Sequence, residues 1–277
     1  MSISRTIFPF IESSYELIKW FSFFLKNENF KNYIDKKEQQ KELAILGNGP
    51  SMKQFKLDEV SGMDCCMVNF SPLSDLFFQV RPRHYVIVDD AFFTGGQKNL
   101  PECISKVDWN MSMYVPYKYR RQAVSIYGGN KSIDIIFVHT AGLPDEFAFK
   151  RREYKLFAKG RAVPVLQNVM AASIFCMINA GYTGIHLYGA DHSWITQLIV
   201  DEQSRLCLRN EHYYDSSEPS FEPLLLPDGT VSSISHELRE QAKAFGAYEV
   251  LQGYADFLGN VSITNKTKGS YIDAFKK

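Results

Sequence analysis

Short apolar runs that end on a glycine or a polar residue alternate with longer amphipathic or polar stretches along most of the chain. Glu42–Gly47 (ELAILG), Asp64–Asn69 (DCCMVN) and His84–Asp89 (HYVIVD) predict buried parallel strands, because strands covered on both faces read as continuous apolar runs. Met111–Val115 and Ile133–Val138 predict two more. Asn168–Ala180 (NVMAASIFCMINA) is apolar nearly all round and rich in small residues, which predicts a buried helix, and Gly181 ends it. Gly184–Gly189 follows as another central strand, Glu237–Ala255 as a last helix and Asn260–Thr264 as a last strand. This alternation is the signature of an α/β fold built on a doubly wound, mostly parallel sheet.

The flanking segments read differently. Ser13–Lys26 predicts an aromatic-rich amphipathic helix, which either packs on its own domain or offers a face to a membrane surface or a second copy. With the polar stretch that follows, residues 1–41 form an N-terminal helix and linker, and 42–277 form the main α/β domain. Residues 141–162 carry many charges and few patterned apolar positions and predict a loop or lid. Residues 194–232 lack a strong period and hold Pro219, Pro223, Pro227 and Asp228-Gly229, so they predict a long irregular lid. No stretch reaches the roughly 18 apolar residues of a membrane span, and the N-terminus lacks the basic start and cleavage site of a signal peptide.

Composition changes this picture only by exclusion. The 31 basic and 31 acidic side chains cancel, so no field of one sign advertises a nucleic-acid or bilayer partner, and an anionic ligand would need a local pocket. Five cysteines, odd in number and without a CxxC, argue against a disulfide framework or zinc site and for a reducing compartment. All five read as small buried hydrophobes.

Candidate chemistry gathers where strands end. Gly47-Asn48-Gly49-Pro50-Ser51 is a glycine-bracketed turn after a strand, with a helix predicted to start near Pro50 or Ser51. The glycines would let the backbone approach a ligand, and free N–H groups at a helix start would favour phosphate. The alternative is a plain tight turn. Since ligands of open α/β sheets gather beyond the carboxyl edge, Asn48, Asn69, Asp89, Asp90 and Asp191 would face one crevice. Asp89-Asp90 could hold Mg²⁺; capping or ribose contact is the competing reading. Among the six histidines, His84 and His186 sit inside strands and read as structural. His192 stands at a strand end where it could orient substrate. His212 and His236 flank the long excursion, and either could take a proton from an acceptor hydroxyl.

Taken together, Gly47–Ser51, Val68-Asn69-Phe70, Tyr85–Phe93, Asn168–Ala180, Ile185–His192, Ser235-His236-Glu237 and Thr264–Tyr271 resemble the bacterial sialyltransferases of glycosyltransferase family 42. They also resemble the wider group sharing the domain of unknown function 115, which is related to archaeal hydroxymethylpterin pyrophosphokinases. The resemblance covers about residues 42–273 at low overall similarity. It implies a Rossmann-like catalytic domain of the sialyltransferase type that binds a nucleotide sugar without a required cofactor or metal. Carried over residue by residue, it implies that Asn48, Gly49, Ser51 and Asn69 contact the nucleotide, with Asn168 the closest equivalent of a further contact, and that His236 is the base; Gly47, Pro50, Asp89, Asp90 and Asp191 complete the candidate nucleotide-binding set. Tyr213 and Tyr214 are candidates for steadying the donor phosphate. Asp89 and Asp90 stand where the family has a donor-contacting asparagine, and Leu166-Gln167-Asn168 stands where it has Thr-Ser-Gly.

The resulting expectation is a glycosyltransferase, inverting through a His base, that moves a sugar from a CMP-linked donor to a saccharide or glycolipid acceptor in lipopolysaccharide or capsule assembly. It would be cytoplasmic and peripheral to the inner membrane, with self-association through the N-terminal aromatics as a further option. The alternatives are a Mg²⁺-dependent pyrophosphokinase using Asp89, Asp90 and Asp191, and a non-catalytic nucleotide-sugar-binding subunit.

Overall fold

A computed structural model of the chain describes residues 14–15, 17–23, 25–26, 41–96, 99–140, 142, 150–209, 221–226 and 228–277. Six of the predicted apolar runs form strands that start where expected and end within three residues of their expected bounds: β1 (Glu42–Leu46), β2 (Asp64–Val68), β3 (His84–Val86), β4 (Met111–Pro116), β5 (Ile133–Val138) and β6 (Gly184–Tyr188). With the last strand, β10 (Ser262–Asn265), they make a seven-stranded sheet in the order β10-β6-β1-β2-β3-β4-β5. Every pairing in it is parallel. Parallel neighbours cannot be joined by hairpins, so the chain crosses over the faces and covers both of them.

Side-chain alternation splits the core in two. Leu43, Ile45, Cys66, Val68, Val86, Ile185 and Leu187 point to one face, where they pack under α4 (Lys150–Ala158), α5 (Val169–Ala180) and α7 (Ile234–Leu258). Ala44, Leu46, Met67, Tyr85, Met113 and Val115 point to the other face, which is covered by α1 (Asp75–Val80), α2 (Leu100–Ser105) and α3 (Arg120–Tyr127). Helix α5 lies across the middle of its face with every residue from Met170 to Ala180 buried, as its all-round apolar sequence requires. The Asn168 side chain caps its start by accepting from Ala171 N–H at 3.0 Å, and Gly181 ends it at φ 103°.

Two expectations are corrected. Within 141–162, expected to be a loop or lid, residues 150–158 form α4; Tyr154 and Phe157, three residues apart, supply its buried stripe against α7. A short stripe amid so many charges leaves almost no periodic signal. The irregular lid at 194–232 instead opens with the one-turn α6 (Trp194–Gln197) and continues as an antiparallel sheet of β7 (Leu198–Val200), β8 (Leu206–Arg209) and β9 (Phe221–Pro223). The strands are three or four residues long, too short for alternation to register.

The N-terminal helix packs on its own domain. Trp20 Nε1–H donates to the Arg161 carbonyl at 2.8 Å, and Leu17 and Trp20 rest on the α5 side of the core. The Phe23 ring meets Tyr117 edge-on. Its opposite stripe, Tyr15, Ile18, Phe21 and Leu25, is exposed, so this helix is apolar on two faces. No helix among the described residues is long and apolar enough to cross a membrane. The five cysteines are free thiols; four are buried, and Cys103 is half-buried, contrary to its expected place in the core.

At the amino edge of the sheet, Tyr182 O–H donates to Asp64 at 2.7 Å and pairs with His84 Nε2 at 2.8 Å, beneath the Tyr114 hydroxyl. Burial first, and the Arg83 charge second, hold the His84 imidazole down to about 4 from its ordinary 6.5. An imidazole that must stay neutral in the fold contributes stability that is complete above pH 6.5 and drains as pH falls toward 4, because the unfolded chain takes the proton first. Acidification across that window therefore costs on the order of 3 kcal/mol through this group. Chemical denaturation of wild type and His84→Gln between pH 7 and pH 4 checks it: the wild type should lose the steeper share, and parallel curves would be the contrary result.

Candidate active site

The chain builds β1 to β5 outward on one side of β1, then returns to place β6 on the other side. At such a reversal the two adjacent strands send their loops apart, opening a crevice beyond their carboxyl ends. Here that crevice is a cleft of about 530 Å³ lined by Asn48, Asn69, Asp89, Asn168, Asp191 and His192, with Phe70, Phe92, Gln167, Trp194 and Gln197 completing its walls.

The loop after β1 does not do what its sequence suggested. Gly47 N–H donates to the Tyr188 carbonyl at 2.8 Å and Gly49 N–H to the Gly189 carbonyl at 3.0 Å. Ser51 N–H and Oγ–H both donate to the Asp191 carboxylate, at 3.2 and 2.8 Å. Pro50 has no N–H to offer. The expected grip on phosphate by free amides is therefore corrected, since three of them already have partners. The predicted helix is a single 3-10 turn, Pro50–Gln54, too short for a strong dipole. The glycines are needed for another reason. A Cβ on Gly47 would stand 2.5 Å from the Gly189 carbonyl oxygen, and one on Gly49 would stand 1.9 Å from Asp191 Oδ2. They let one loop approach the other, rather than a ligand.

What the cleft leaves unpaired is amide side chains. Asn48 Nδ2–H donates to the Val68 carbonyl at 3.2 Å, so its Oδ1 is turned the other way and has no partner. Asn69, held at φ 49° with Tyr85 O–H donating to its carbonyl, has an equally unpartnered Oδ1. Asn168 Oδ1 accepts from both Ala171 N–H and Tyr248 O–H (2.9 Å), which leaves Nδ2 unpartnered. A buried polar group without a partner costs about 1–3 kcal/mol. Three residues of the cleft lining carry such a group.

His192 belongs to the same wall. It adopts a left-handed backbone (φ 52°), is 8 % exposed, and bonds to Tyr248 at 2.5 Å with Trp194 against its ring. Burial lowers its imidazole to about 3, so it is neutral at physiological pH and serves as a hydrogen-bonding group, not a store for a proton. Burial likewise pushes the Tyr248 phenol up, so its proton stays on.

The remaining candidates are engaged with other partners or sit elsewhere. Asp90 forms an ion pair with Lys118 at 2.7 Å, and Asp89 accepts from Ala91 N–H at 2.9 Å, capping the turn that follows. Asp191 is bound to Ser51, and no group of three His, Cys, Asp or Glu suited to a metal occurs among the described residues. His236 sits in the first turn of α7, outside the cleft lining, one turn before Glu240, which accepts from Gln167 at 3.2 Å. His212, Tyr213 and Tyr214 lie outside the described residues.

Sequence reasoning missed Trp194, Gln197 and Tyr248. Trp194 was two residues from the quoted His192 and could have been reached by adjacency. Tyr248 lies 80 residues from Asn168, and nothing local announces it.

No family model matches the chain. No curated protein matches it either. Among solved structures it is similar to the MAf glycosyltransferase from Magnetospirillum magneticum AMB-1, at 11% identity and a TM-score of 0.50 over 89% of this chain. The match spans 35% of that protein's length. At that identity the likeness is one of fold, the α/β Rossmann-like sheet with flanking helices.

The close approach of the two loops gives a direct test. Gly49→Ala should destabilise by about 1–3 kcal/mol through overpacking against Asp191. Gly129→Ala, where no atom stands within 4 Å of the added carbon, serves as the control. Equal denaturation midpoints for the two variants would contradict this account of the loop.

Proposed function

We propose that the protein is a glycosyltransferase that uses a nucleotide-activated sugar and transfers it to a hydroxyl of a saccharide acceptor. The observation that carries this reading is the cleft at the strand reversal with three unpartnered asparagine amides in its walls. Neutral amides that offer both acceptors and a donor suit nucleoside and sugar groups, which present hydroxyls and ring nitrogens. The shared fold with a glycosyltransferase is in keeping with it.

Charge narrows the donor. The described residues that line the cleft include Asp89 and Asp191 but no Lys or Arg. A nucleoside monophosphate sugar carries one negative charge on its phosphodiester, and a diphosphate sugar carries two. With no lining Lys or Arg to meet phosphate charge, the single phosphodiester is the better fit at the phosphate, which favours a CMP-linked sugar. The same shortage weighs against the Mg²⁺-dependent pyrophosphokinase, whose triphosphate needs the most compensation.

In the proposed reaction, Asn48, Asn69 and Asn168 hold the nucleoside part, and the acceptor hydroxyl attacks the anomeric carbon directly as the phosphate leaves, inverting that centre. A phosphate is already a good leaving group, so positioning is the main task. His236, a turn from the Glu240–Gln167 contact at the cleft edge, takes the hydroxyl proton. His192 stays neutral and orients the hydroxyl. Assembly of bacterial surface glycan, with the exposed N-terminal stripe resting on the inner membrane, is the setting we propose.

Thermal-shift titration with CMP, UDP, GDP and ATP, each with and without Mg²⁺, tests the donor. CMP should stabilise without metal, and Asn48→Ala with Asn168→Ala should abolish that shift. Stabilisation only by ATP with Mg²⁺ would overturn the reading in favour of the phosphotransferase. His236→Ala should lower turnover by about 10²–10⁴ and leave the CMP shift intact; undiminished turnover would remove His236 as the base.

A further inference from the structure

Tyr248 is fully buried in α7, held by Phe275 edge-on, and lines no part of the cleft. Its hydroxyl nevertheless touches two residues that do, Asn168 Oδ1 at 2.9 Å and His192 Nε2 at 2.5 Å. Proton counting decides how these three groups are arranged. The main-chain N–H of Ala171 points at the Asn168 side-chain atom from 3.0 Å, so that atom is the oxygen and can only accept. The phenol has one proton and must give it to this oxygen, because two acceptors 2.9 Å apart would repel. Its own oxygen is then the acceptor for His192, and Nε2 must carry the ring proton. The ring is neutral, so Nδ1 is bare.

We infer that Tyr248 is the positioning residue of this cleft: one hydroxyl fixes both the amide orientation of Asn168 and the Nε2–H tautomer of His192. His192 Nδ1 is then an acceptor, and Asn168 keeps an unpartnered Nδ2 donor pair. That combination is what a single sugar or ribose hydroxyl satisfies, since it gives one hydrogen bond and takes another. It also explains how His192 can hold a left-handed backbone conformation that only a few per cent of such residues adopt: the ring is anchored by the phenol and packed by Trp194 and Phe245. The identity of the hydroxyl rests on the glycosyltransferase reading, whereas the arrangement of protons does not.

Long-range ¹H–¹⁵N correlation spectra of the full chain, labelled in histidine ring nitrogens, separate the two. At pH 7 the His192 ring should show a protonated Nε2 and a bare Nδ1, and Tyr248→Phe should shift it toward the other tautomer. The same variant should weaken CMP binding about tenfold, the loss expected for one hydrogen bond of about 1.4 kcal/mol. A wild-type ring protonated at Nδ1, or a tautomer unchanged in Tyr248→Phe, overturns the inference whatever nucleotide binds. The predicted tautomer with no nucleotide binding leaves Tyr248 as inferred and defeats the donor reading instead. Should Tyr248→Phe fail to fold, the wild-type spectrum alone decides.

Discussion

The contact between the loop after β1 and the loop after β6 holds the candidate site open and in register. Two main-chain bonds, from Gly47 to Tyr188 and from Gly49 to Gly189, extend the pairing of β1 and β6 past the end of the sheet. The Asp191 carboxylate then fastens to the backbone and hydroxyl of Ser51. A carboxylate accepting two hydrogen bonds is a stronger tie than a neutral pair and is costly to break once it is partly buried. Asn48 and His192 flank this seam, so the spacing of the cleft walls depends on it.

The polar wall of the cleft has a definite division of labour. Asn48 and Asn168 each use one end of the amide to fix the side chain to the fold, Asn48 on Val68 and Asn168 on Ala171, and the other end has no partner in the chain. A side chain anchored this way gives up its rotameric freedom before a ligand arrives, so less entropy is lost on binding. The cost is borne by the empty protein as unpaired buried groups. Tyr248 extends this division inward, since it carries the orientation of one wall into the packed interior of α7.

Much of this was legible in the residues. Runs such as ELAIL and DCCMV announce strands buried on both faces, and their alternation with helical stretches such as NVMAASIFCMINA is enough to expect a doubly wound parallel sheet. Strand ends then place Asn48, Asn69, Asp89, Asp191 and His192 along one edge. Gly47 and Gly49 were read correctly as a close approach and wrongly as an approach to phosphate, because a sequence shows where a side chain is missing but not what fills the space. Asp89-Asp90 looked like a pair, yet neighbours in sequence leave a turn in different directions, one to cap it and one to meet Lys118. Tyr154, Phe157 and the three-residue strands of the 194–232 segment escaped because so few positions carry no measurable period. Tyr248 escaped because its meaning lies in partners 80 and 56 residues away.

The position of β1 has a consequence for how the molecule comes into being. Among the described strands it comes first in the chain, and it sits third in the sheet, paired on one side with a strand some 20 residues later and on the other with one 140 residues later. During synthesis that second edge stays bare, with its row of N–H and C=O groups unclaimed, until residue 188 has left the ribosome. The loop closure that ends this interval is among the slowest kinds a chain performs. It is also the event that creates the cleft, so a nascent chain has nothing to bind with until it has passed its period of greatest risk of misassociation.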